Sequence, residues 1–598
     1  MTADVFASEI GRAIWASRYR QPGEADLDAS RARVARALAA AEERPADWEP
    51  RFLHALRDSR FLPGGRILAG AGTDRQVTLF NCFVMGTIED SVDGIFDALK
   101  EGALTMQQGG GVGYDFSTLR PAGTPARHSG TIASGPVSFM RIWDAMCATI
   151  LSTGARRGAM MATLRVDHPD IETFIEAKRE AGELTRFNLS VLVDDAFMAA
   201  VDADDEWPLL FPASALEMSE GELVERDWPG HGAPVACRIV RRVPARRLWE
   251  RIMRATYDHA EPGVLFADRI NRGNNLGYRE RISATNPCGE IPLPPYGACD
   301  LGSINLTAFV HRPFTSVASL DLDGVAETAA VAVRLLDNVI DVSGFPLAAQ
   351  AEQARGSRRV GLGLTGLADA LIMLGQHYDS DMARETAAEV MRVIAHQAYR
   401  TSVALAREKG AFPFFDRAGY LASAFVRALP EDIREGIARH GIRNSHLTAI
   451  APTGTISLLA DNVSSGIEPV FRFRFERRIL DADGHPRTRE VVDRAWALWQ
   501  ECHPDREMSP AFVQADELAP DAHLAMQAAL QPYVDSAISK TINVPEDVPF
   551  ERFEHIYRRA FELGLKGCTT YRPNPVTGAV LRESESATPC CDIDRETD

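Results

Sequence analysis

One short segment of the chain places three reactive side chains at alternate positions. It reads Asn286-Pro287-Cys288-Gly289-Glu290, and its proline and glycine both oppose a helix. In an extended chain the side chains at i, i+2 and i+4 point the same way, so an amide, a thiol and a carboxylate would face one cavity. The same residues also suit an ordinary loop around a buried cysteine, because free cysteine is among the most buried residue types. The segment by itself therefore leaves open a thiol-centred reactive site and a packed loop.

The other cysteines favour thiol chemistry over metal binding. The chain has nine cysteines and 14 histidines, with no Cys-x-x-Cys pair and no His/Cys cluster at zinc-finger spacing. Cysteines in a long chain without export signals are better interpreted as thiols than as a disulfide framework. We therefore assign no metal ligand. The cysteines predicted to be packing residues are Cys147, Cys237, Cys502 and Cys568.

A second segment has the residue types of a phosphate site. Residues 451–457, APTGTIS, place small and hydroxyl residues after a proline at the start of an apolar run. This pattern predicts a helix N-terminus whose N–H groups can bind phosphate, although Thr and Ser are equally favoured as plain N-caps. The glycine run at residues 109–113 is not a dinucleotide fingerprint, because it lacks the strand–turn–helix spacing and the later acidic residue.

The composition of the chain limits the class of protein to which these segments can belong. The chain has 598 residues, of which 45% are hydrophobic and 25% charged, and this predicts a globular protein with a large core. The net charge of −18 disfavours binding to polymeric nucleic acid. No apolar run is long enough for a signal peptide or a membrane span, so we predict a cytoplasmic protein that does not bind membranes.

The pattern of elements predicts an α/β barrel-like architecture. Residues 1–60 have helical periodicity, and from residue 61 the short apolar runs FLPGGRILAGAG and VTLFNCFVMG predict buried strands between loops. Long amphipathic helices are predicted at residues 325–342 and 383–409, the second capped by Gly410. Strands separated by helices are typical of α/β folds.

Several segments together resemble the large catalytic subunit of ribonucleotide reductases. They are LFNCFVMGTIEDSVDGI around Cys82, QQGGGVGYDFSTLRPAG, NPCGE, and PLPPYGACDLGSINL around Cys299. The similarity extends from Phe61 to Pro573 and keeps the order of the family. It implies a ten-stranded α/β barrel with a central finger loop, preceded by a short helical region. The expected domains are residues 1–60, 61–575 and 576–598, the last a flexible tail.

The resemblance implies radical chemistry for five residues. Cys288 would be a thiyl radical that takes the 3′-hydrogen of a ribose, Glu290 the general base for the 3′-hydroxyl, and Asn286 the group that orients the hydroxyls. Cys82 and Cys299 would protonate the departing water and supply two electrons, ending as a disulfide. These two cysteines are remote in sequence, so only the fold can bring their Cα atoms within the roughly 4.4–6.8 Å that a disulfide requires.

The resemblance also implies binding positions. Those for the substrate are Asn81, Gly111, Thr453, Gly454, Thr455 and Ser457, the last four at its phosphates. Those for a deoxynucleotide effector are Asp90, Ser91, Arg120 and Arg127. Relatives re-reduce the active-site disulfide with two tail cysteines a few residues apart, whereas Cys590 and Cys591 are adjacent here. An adjacent pair can form only a strained ring disulfide, although strain and a mobile tail both favour exchange.

Ribonucleotide reductases differ mainly in the source of the thiyl radical. Forms that import a radical from a metal subunit relay it through two adjacent tyrosines, but here Thr570 precedes Tyr571, and an aliphatic hydroxyl is not oxidised at an accessible potential. No glycyl-radical motif follows. Residues 539–548, SKTINVPEDV, and 566–573, KGCTTYRP, are similar to the adenosylcobalamin-dependent (class II) form. The expected cofactor is adenosylcobalamin, with its cobalt, although no DxHxxG-type motif is present.

The expected function is reduction of ribonucleotides, with diphosphates favoured over triphosphates. The expected partners are the ribonucleotide, a deoxynucleotide effector, a thioredoxin- or glutaredoxin-type reductant and a second copy of the chain in a homodimer. Two alternatives remain, a class I large subunit that needs a metal-containing partner and a nucleotide-binding sensor without catalysis. Residues 1–60 lack the pattern of an ATP-binding cone, so control of substrate choice without an activity switch is expected.

Overall fold

The computed structural model describes residue 6 and residues 8–573, apart from 126–131, 153–155, 181, 217–220 and 481–485. Three of the predicted site residues, Arg127, Cys590 and Cys591, lie outside the described residues. Within the described part of the chain, no helix is both long and apolar enough to cross a bilayer.

Helices and strands alternate along most of the chain. The helices α1 to α21 are Glu9–Ile14, Leu27–Ala39, Pro45–Leu56, Gly65–Gly70, Val92–Gln107, Pro136–Thr149, Ile171–Ile175, Asp195–Ala203, Ala245–His259, Ala267–Arg272, Leu322–Val342, Ala348–Ser357, Leu367–Met373, Asp381–Lys409, Arg417–Ala422, Ala424–Ala428, Glu431–His440, Gly454–Leu459, Arg494–Cys502, Pro520–Leu530 and Phe550–Glu562. The strands β1 to β21 are Phe61–Pro63, Cys82–Val84, Gly111–Asp115, Leu151–Ser152, Arg156–Arg157, Met160–Arg165, Phe187–Val193, Glu206–Pro212, Leu223–Arg226, Val235–Pro244, Gly263–Phe266, Ala284–Thr285, Pro292–Leu293, Ala298–Asn305, Val310–His311, Ser319–Leu320, Val360–Thr365, Arg474–Leu480, Pro486–Val492, Thr541–Asn543 and Gly567–Tyr571.

Ten of these strands form one sheet that closes into a barrel. Their order is β1-β14-β2-β3-β6-β7-β11-β21-β20, and β17 also pairs with β14. The sheet closes because Leu362 of β17 bridges Thr448, Ile450 bridges Ile538, and the chain from Ile538 continues into β20. The predicted α/β barrel is therefore confirmed.

Nine of the ten strands form two parallel halves that run in opposite directions, and β1 pairs antiparallel with β14. Strands β2, β3, β6, β7 and β11 are parallel to one another. Strands β14 and β17 are parallel to each other but antiparallel to β2, and β20 and β21 are parallel to each other while β21 is antiparallel to β11. The two seams between the halves are thus β2–β14 and β11–β21.

The N-terminal helices attach to the outside of the barrel through α11. Helices α2 and α3 pack against each other and against α11. Glu42, which follows α2, accepts hydrogen bonds from Arg334 (2.9 Å) and Asn338 (2.9 Å) of α11 and from Lys409 (3.0 Å) of α14. These contacts place the buried Glu42 carboxylate next to cations. They lower its pKa, and together they outweigh burial, which alone would raise it.

The long helices agree with the sequence, but one predicted strand is a helix. Helix α11 begins three residues before its predicted start and α14 two residues before, and Gly410 ends α14 with φ +86° and an N–H donated to Ala406. Strands β1 and β2 lie in the predicted apolar runs. The run after β1 forms α4 instead, with Ile67 and Leu68 buried. Periodicity does not distinguish strand from helix in so short an apolar run.

Candidate active site

Strands β12 and β13 form a hairpin that passes through the interior of the barrel. On one side, Thr163 of β6 donates a hydrogen bond to the Ser283 carbonyl (2.8 Å) and the Asn188 amide of β7 donates to the Pro287 carbonyl (2.8 Å). From the opposite half of the barrel, the N–H of Ala537 donates to the Glu290 carbonyl (2.9 Å). The hairpin is therefore held by both halves, which is the geometry expected of a finger loop.

The tip of this hairpin is a tight turn, so the predicted extended conformation was wrong. The N–H of Gly289 donates to the Asn286 carbonyl (3.1 Å), and Gly289 has φ +84°, a conformation that favours glycine. Pro287 occupies the second position of the turn, where its fixed φ is suitable. The N–H of Ile291 also donates to the Asn286 side chain (3.0 Å). The turn still directs Asn286 and Glu290 to the same neighbour, Cys82.

Cys82 and Cys299 lie directly opposite each other across the seam between β2 and β14. The antiparallel register pairs Cys82 with Cys299 and Phe83 with Ala298. Directly opposed residues in an antiparallel pair have Cα atoms about 4.5–5.5 Å apart, which is within the range that a disulfide spans. The fold therefore brings together two cysteines that are more than 200 positions apart in the sequence.

Hydrogen bonds tie the hairpin tip to the thiol pair. The Asn286 amide donates to the Cys82 sulfur (3.2 Å), and the Cys82 thiol donates to Glu290 Oε1 (3.8 Å). The other carboxylate oxygen, Glu290 Oε2, is buried and has no hydrogen-bond partner among the described residues. A buried acceptor of this kind suits a hydroxyl group of a bound ligand.

Burial controls the protonation of the site. Desolvation raises the pKa of Cys82 well above its ordinary value, and nearby Glu290, Cys299 and Cys288 raise it further. Desolvation likewise raises the pKa of Cys299 well above that of a free thiol, with Asp300 adding to the effect. Both sulfurs are therefore thiols at neutral pH. Desolvation raises the pKa of Glu290 to about 7, so this carboxyl exchanges its proton near neutral pH.

Cys288 lies between this thiol pair and a large cavity. The cavity has a volume of about 840 Å³ and is lined by Cys288 and Gly289, whereas Cys82 and Cys299 are buried outside its lining. Cys288 is partly exposed and close enough to Cys82 to raise the pKa of that thiol. A molecule in the cavity thus reaches Cys288 before it reaches the other two sulfurs.

Two predicted substrate residues flank the thiol pair. Asn81 is buried next to Cys82, and its carbonyl accepts the N–H of Gly111 (2.8 Å). Gly111 pairs with Cys82 in the parallel register of β2 and β3. A Cβ at position 111 would lie 3.3 Å from the Pro287 ring, so a side chain there would press on the hairpin tip.

In the segment that was predicted to bind phosphate, the backbone rather than the hydroxyl groups faces the cavity. Gly454, the first residue of α18, lines the cavity. The Thr453 hydroxyl hydrogen-bonds instead to Thr365 (2.9 Å) and Ser457 (2.9 Å), and Thr455 is buried. Thr453 has φ +54°, which turns the chain into α18. The buried hydroxyls therefore shape the segment, and its backbone faces the cavity at Gly454.

Three of the predicted effector residues lie together at the start of α5. Asp90 accepts hydrogen bonds from the Arg120 N–H (3.1 Å) and Nε (2.8 Å). Ser91 is the N-cap of α5, and its hydroxyl accepts the N–H of Gly94 (3.0 Å).

Some residues at the site were missed or misjudged from the sequence. No sequence pattern indicated Asn188, which fixes the hairpin tip, because a single asparagine in a strand is uninformative. Asp300, next to Cys299, has both carboxylate oxygens buried without a hydrogen-bond partner among the described residues. Of the cysteines predicted to be packing residues, Cys568 is buried but also lines the cavity, whereas Cys502 is exposed, so the packing prediction for Cys502 was wrong.

Comparison with known families agrees with this arrangement. The family described as "Ribonucleotide reductase, barrel domain" matches residues 80–571, and the one described as "Ribonucleotide reductase, all-alpha domain" matches residues 5–76. The chain belongs to the ribonucleotide reductase family. The hairpin tip, the opposed cysteines and the cavity of this reductase all lie within the residues that match the barrel domain.

Individual relatives of this ribonucleotide reductase chain are similar over most of its length. A protein of Mycobacterium tuberculosis (strain CDC 1551 / Oshkosh), named vitamin B12-dependent ribonucleoside-diphosphate reductase, is 40% identical over 573 residues, which cover 92% of this chain and 76% of the relative. A protein of the same name from Thermoplasma acidophilum is 37% identical, covering 90% of this chain and 67% of the relative. The ribonucleoside-diphosphate reductase subunit alpha of Chlamydia pneumoniae is 27% identical, covering 90% and 56%.

Proposed function

We propose that this chain reduces ribonucleoside diphosphates to 2′-deoxyribonucleoside diphosphates with adenosylcobalamin as the radical source. The observation that carries the proposal is the position of Cys288, between an open cavity and the opposed thiols of Cys82 and Cys299. The names of the relatives at 37–40% identity support the diphosphate substrate and the cobalamin cofactor. Thr570 stands where the alternative, a radical-importing subunit, needs a second tyrosine, and its hydroxyl is hydrogen-bonded to the Tyr557 phenol (3.1 Å).

Each side chain of the site has its own role in the reaction. Cys288, as a thiyl radical, removes the 3′-hydrogen atom of the ribose, while the Glu290 carboxylate accepts the 3′-hydroxyl proton. Cys82 is a thiol at neutral pH because burial raises its pKa, so it can give a proton to the 2′-hydroxyl, which leaves as water. Asn286 holds the Cys82 sulfur in place through its amide.

Electrons and atoms balance through the thiol pair. Cys82 and Cys299 each lose a hydrogen and form one S–S bond. The two electrons and two protons replace the C2′–O bond with C2′–H and complete the departing water. Cys288 then returns the 3′-hydrogen and is a thiyl radical again. The disulfide needs no large movement because the two cysteines are already directly opposed.

The cavity residues fit the expected cofactor. Cobalamin is a broad ring system with many amide side chains, so its site needs a wide opening, apolar contacts and hydrogen-bonding groups. The cavity offers the aromatic rings of Phe471 and Phe475 and the polar side chains of Gln527, Ser539 and Asn543. These residues would hold the cofactor in the cavity that Cys288 also lines. Bound adenosylcobalamin supplies homolytic cobalt–carbon chemistry, which is what turns a thiol into a thiyl radical.

The remaining partners are proposed from the resemblance. Asn81, Gly111 and the backbone at Gly454 would contact the substrate. Cys590 and Cys591 would carry electrons to the active-site disulfide from a thioredoxin- or glutaredoxin-type reductant. A cytoplasmic location is consistent with this chemistry, because a reducing compartment keeps such thiols free.

We also propose that α5 forms the contact between two copies of the chain. Its outer face exposes Val92 (64% exposed), Phe96 (50%) and Leu104 (40%), and an exposed apolar strip on a helix is typical of an interface. Asp90 and Arg120 pair at the start of the same helix, which would place the effector next to the second copy.

Placing a charge on this strip should weaken the dimer. For Phe96→Asp we expect the dissociation constant to rise at least about tenfold, since a central apolar residue of an interface contributes roughly 1–4 kcal/mol. Sedimentation velocity over a range of concentrations measures the change. Met382→Asp, at an exposed apolar residue of α14 (63% exposed), is the matched control and should leave the constant unchanged. A parent chain that is monomeric at all concentrations would rule out the proposed interface.

A turnover assay with the chain alone tests the proposed function. We expect deoxynucleotide only when adenosylcobalamin, a ribonucleoside diphosphate and a dithiol are all present. Without dithiol, a single turnover should consume two thiols, and peptide mapping should find Cys82 joined to Cys299. Product that requires a separate metal-containing subunit would instead indicate a radical-importing reductase. Nucleotide binding without product under either condition would indicate a sensor.

A further inference from the structure

Tyr296 lies where α5, the end of β2 and the connection between β13 and β14 meet. It belongs to residues 294–297, which join β13 of the central hairpin to β14, the strand of Cys299. Its phenol donates a hydrogen bond to the carboxylate of Glu101 on α5, at 3.1 Å and 3.4 Å from the two oxygens. Its ring lies against Gly86, just beyond the strand of Cys82. A single side chain thus contacts the α5 helix and the end of the Cys82 strand.

This position is conformationally demanding. Tyr296 has φ +60°, which costs a residue with a Cβ of the order of 1 kcal/mol. A Cβ at position 86 would lie 2.3 Å from the Tyr296 ring, so only glycine leaves room for it. The conformation persists because its surroundings fix it, through the turn from Gly297 N–H to the Pro294 carbonyl (2.9 Å) and the contact with Glu101.

The Tyr296 phenol keeps its proton for the hydrogen bond to Glu101 at neutral pH. Burial, followed by the nearby carboxylates of Glu101 and Asp97, raises the pKa of the Tyr296 phenol to about 12. The phenol is therefore a donor at neutral pH, and a phenol that donates to a carboxylate makes one of the stronger hydrogen bonds.

Helix α5 connects Tyr296 to the proposed effector site and interface. The helix has 16 residues and is therefore about 24 Å long. Ser91 caps its N-terminus beside the Asp90–Arg120 pair, and Glu101 lies in its second half. A packed helix can shift as a rigid element, so a displacement at the capped end of α5 would reach Glu101.

We propose that Tyr296 is a positioning residue that couples the position of α5 to the thiol pair and the hairpin tip. A shift of α5 moves Glu101, and Tyr296 transfers the shift to the segment that joins Glu290 to Cys299. An effector or a second copy of the chain bound at α5 would thereby alter the geometry around the substrate. The inference rests on the proposed function, because it names a regulator of that same site.

The test measures coupling rather than activity alone. Each deoxynucleoside triphosphate is added in turn to the full chain, and its effect on kcat and KM for each ribonucleoside diphosphate is recorded. For Tyr296→Phe, which keeps the ring and removes the hydroxyl, we expect the effector-dependent change to fall by about five- to tenfold, within the range of typical coupling energies. Effector affinity without substrate should change less than about twofold.

Three further variants make the result specific. Glu101→Gln should reproduce the loss, and the double variant should be no worse than either single variant, because both remove one interaction. Tyr114→Phe removes another buried phenol contact to α5, at the Ala98 carbonyl, and should keep the full response. By reciprocity, substrate should tighten effector binding in the parent but not in Tyr296→Phe.

The outcomes separate this inference from the proposed function. A parent chain that makes no product contradicts the proposed function. A productive parent whose effector response persists unchanged in Tyr296→Phe and Glu101→Gln overturns the coupling role of Tyr296. An equal loss of response in Tyr114→Phe would also overturn it, since that result would indicate a general loosening of α5.

Discussion

Replacing Cys288 with serine should abolish product formation, with a loss of at least about 10⁴-fold, while nucleotide affinity should stay within about twofold of the parent. The two side chains differ by one atom, so the turn at the hairpin tip and the cavity wall are retained. The chemistry is lost because an aliphatic O–H bond is much stronger than an S–H bond, and serine therefore does not form the radical that removes a 3′-hydrogen. Turnover by chromatography and affinity by calorimetry measure the two quantities.

A matched cysteine variant controls for the loss of a thiol. Cys502 is exposed at the end of α19, outside the cavity lining, so Cys502→Ser should retain full turnover. Residual activity of Cys288→Ser clearly above about 0.01% of the parent, the level that a 10⁴-fold loss leaves, would contradict the assignment of Cys288 as the radical site. A matching loss in Cys502→Ser would point to general thiol damage instead.

Replacing Glu290 with glutamine should lower kcat by about 10²–10⁴-fold, the range that a general base contributes. Glutamine keeps the size of the side chain but cannot accept the 3′-hydroxyl proton. Desolvation raises the pKa of Glu290 to about 7, so its basic form becomes scarce as the pH falls below that value. In the parent, kcat should therefore fall on the acidic side of about pH 7, and this limb should be absent from the glutamine variant.

A second buried carboxyl provides the control for the pH profile. Burial raises the pKa of Asp300 well above its ordinary value, and its side chain lies outside the lining of the cavity. Asp300→Asn removes this second buried carboxyl and keeps Glu290, so the acidic limb should remain near pH 7 if Glu290 is the base. If the limb moved in Asp300→Asn, or if Glu290→Gln kept it, the base would be a group other than Glu290.

The elements of the barrel were largely predictable because their signals are local. The helices α11 and α14 carry a long apolar periodicity, and Gly410 supplies the left-handed residue that ends α14. Such patterns are satisfied within one element, so they can be identified in the sequence. Helix α4 shows the limit of this reasoning, because a six-residue helix offers too little periodicity to exclude a strand.

The sequence by itself determined which reactive groups this protein has, their order along the chain and the family they resemble. Only the tertiary structure decided how they meet. Cys82 opposes Cys299 because two strands of opposite direction pair at a seam of the barrel, and Asn286 and Glu290 converge on Cys82 through a turn that the alternation of residues did not indicate. Likewise, the link from Tyr296 to Glu101 joins residues 195 positions apart. Which strands pair across a seam depends on packing between distant segments, and no local pattern encodes that packing.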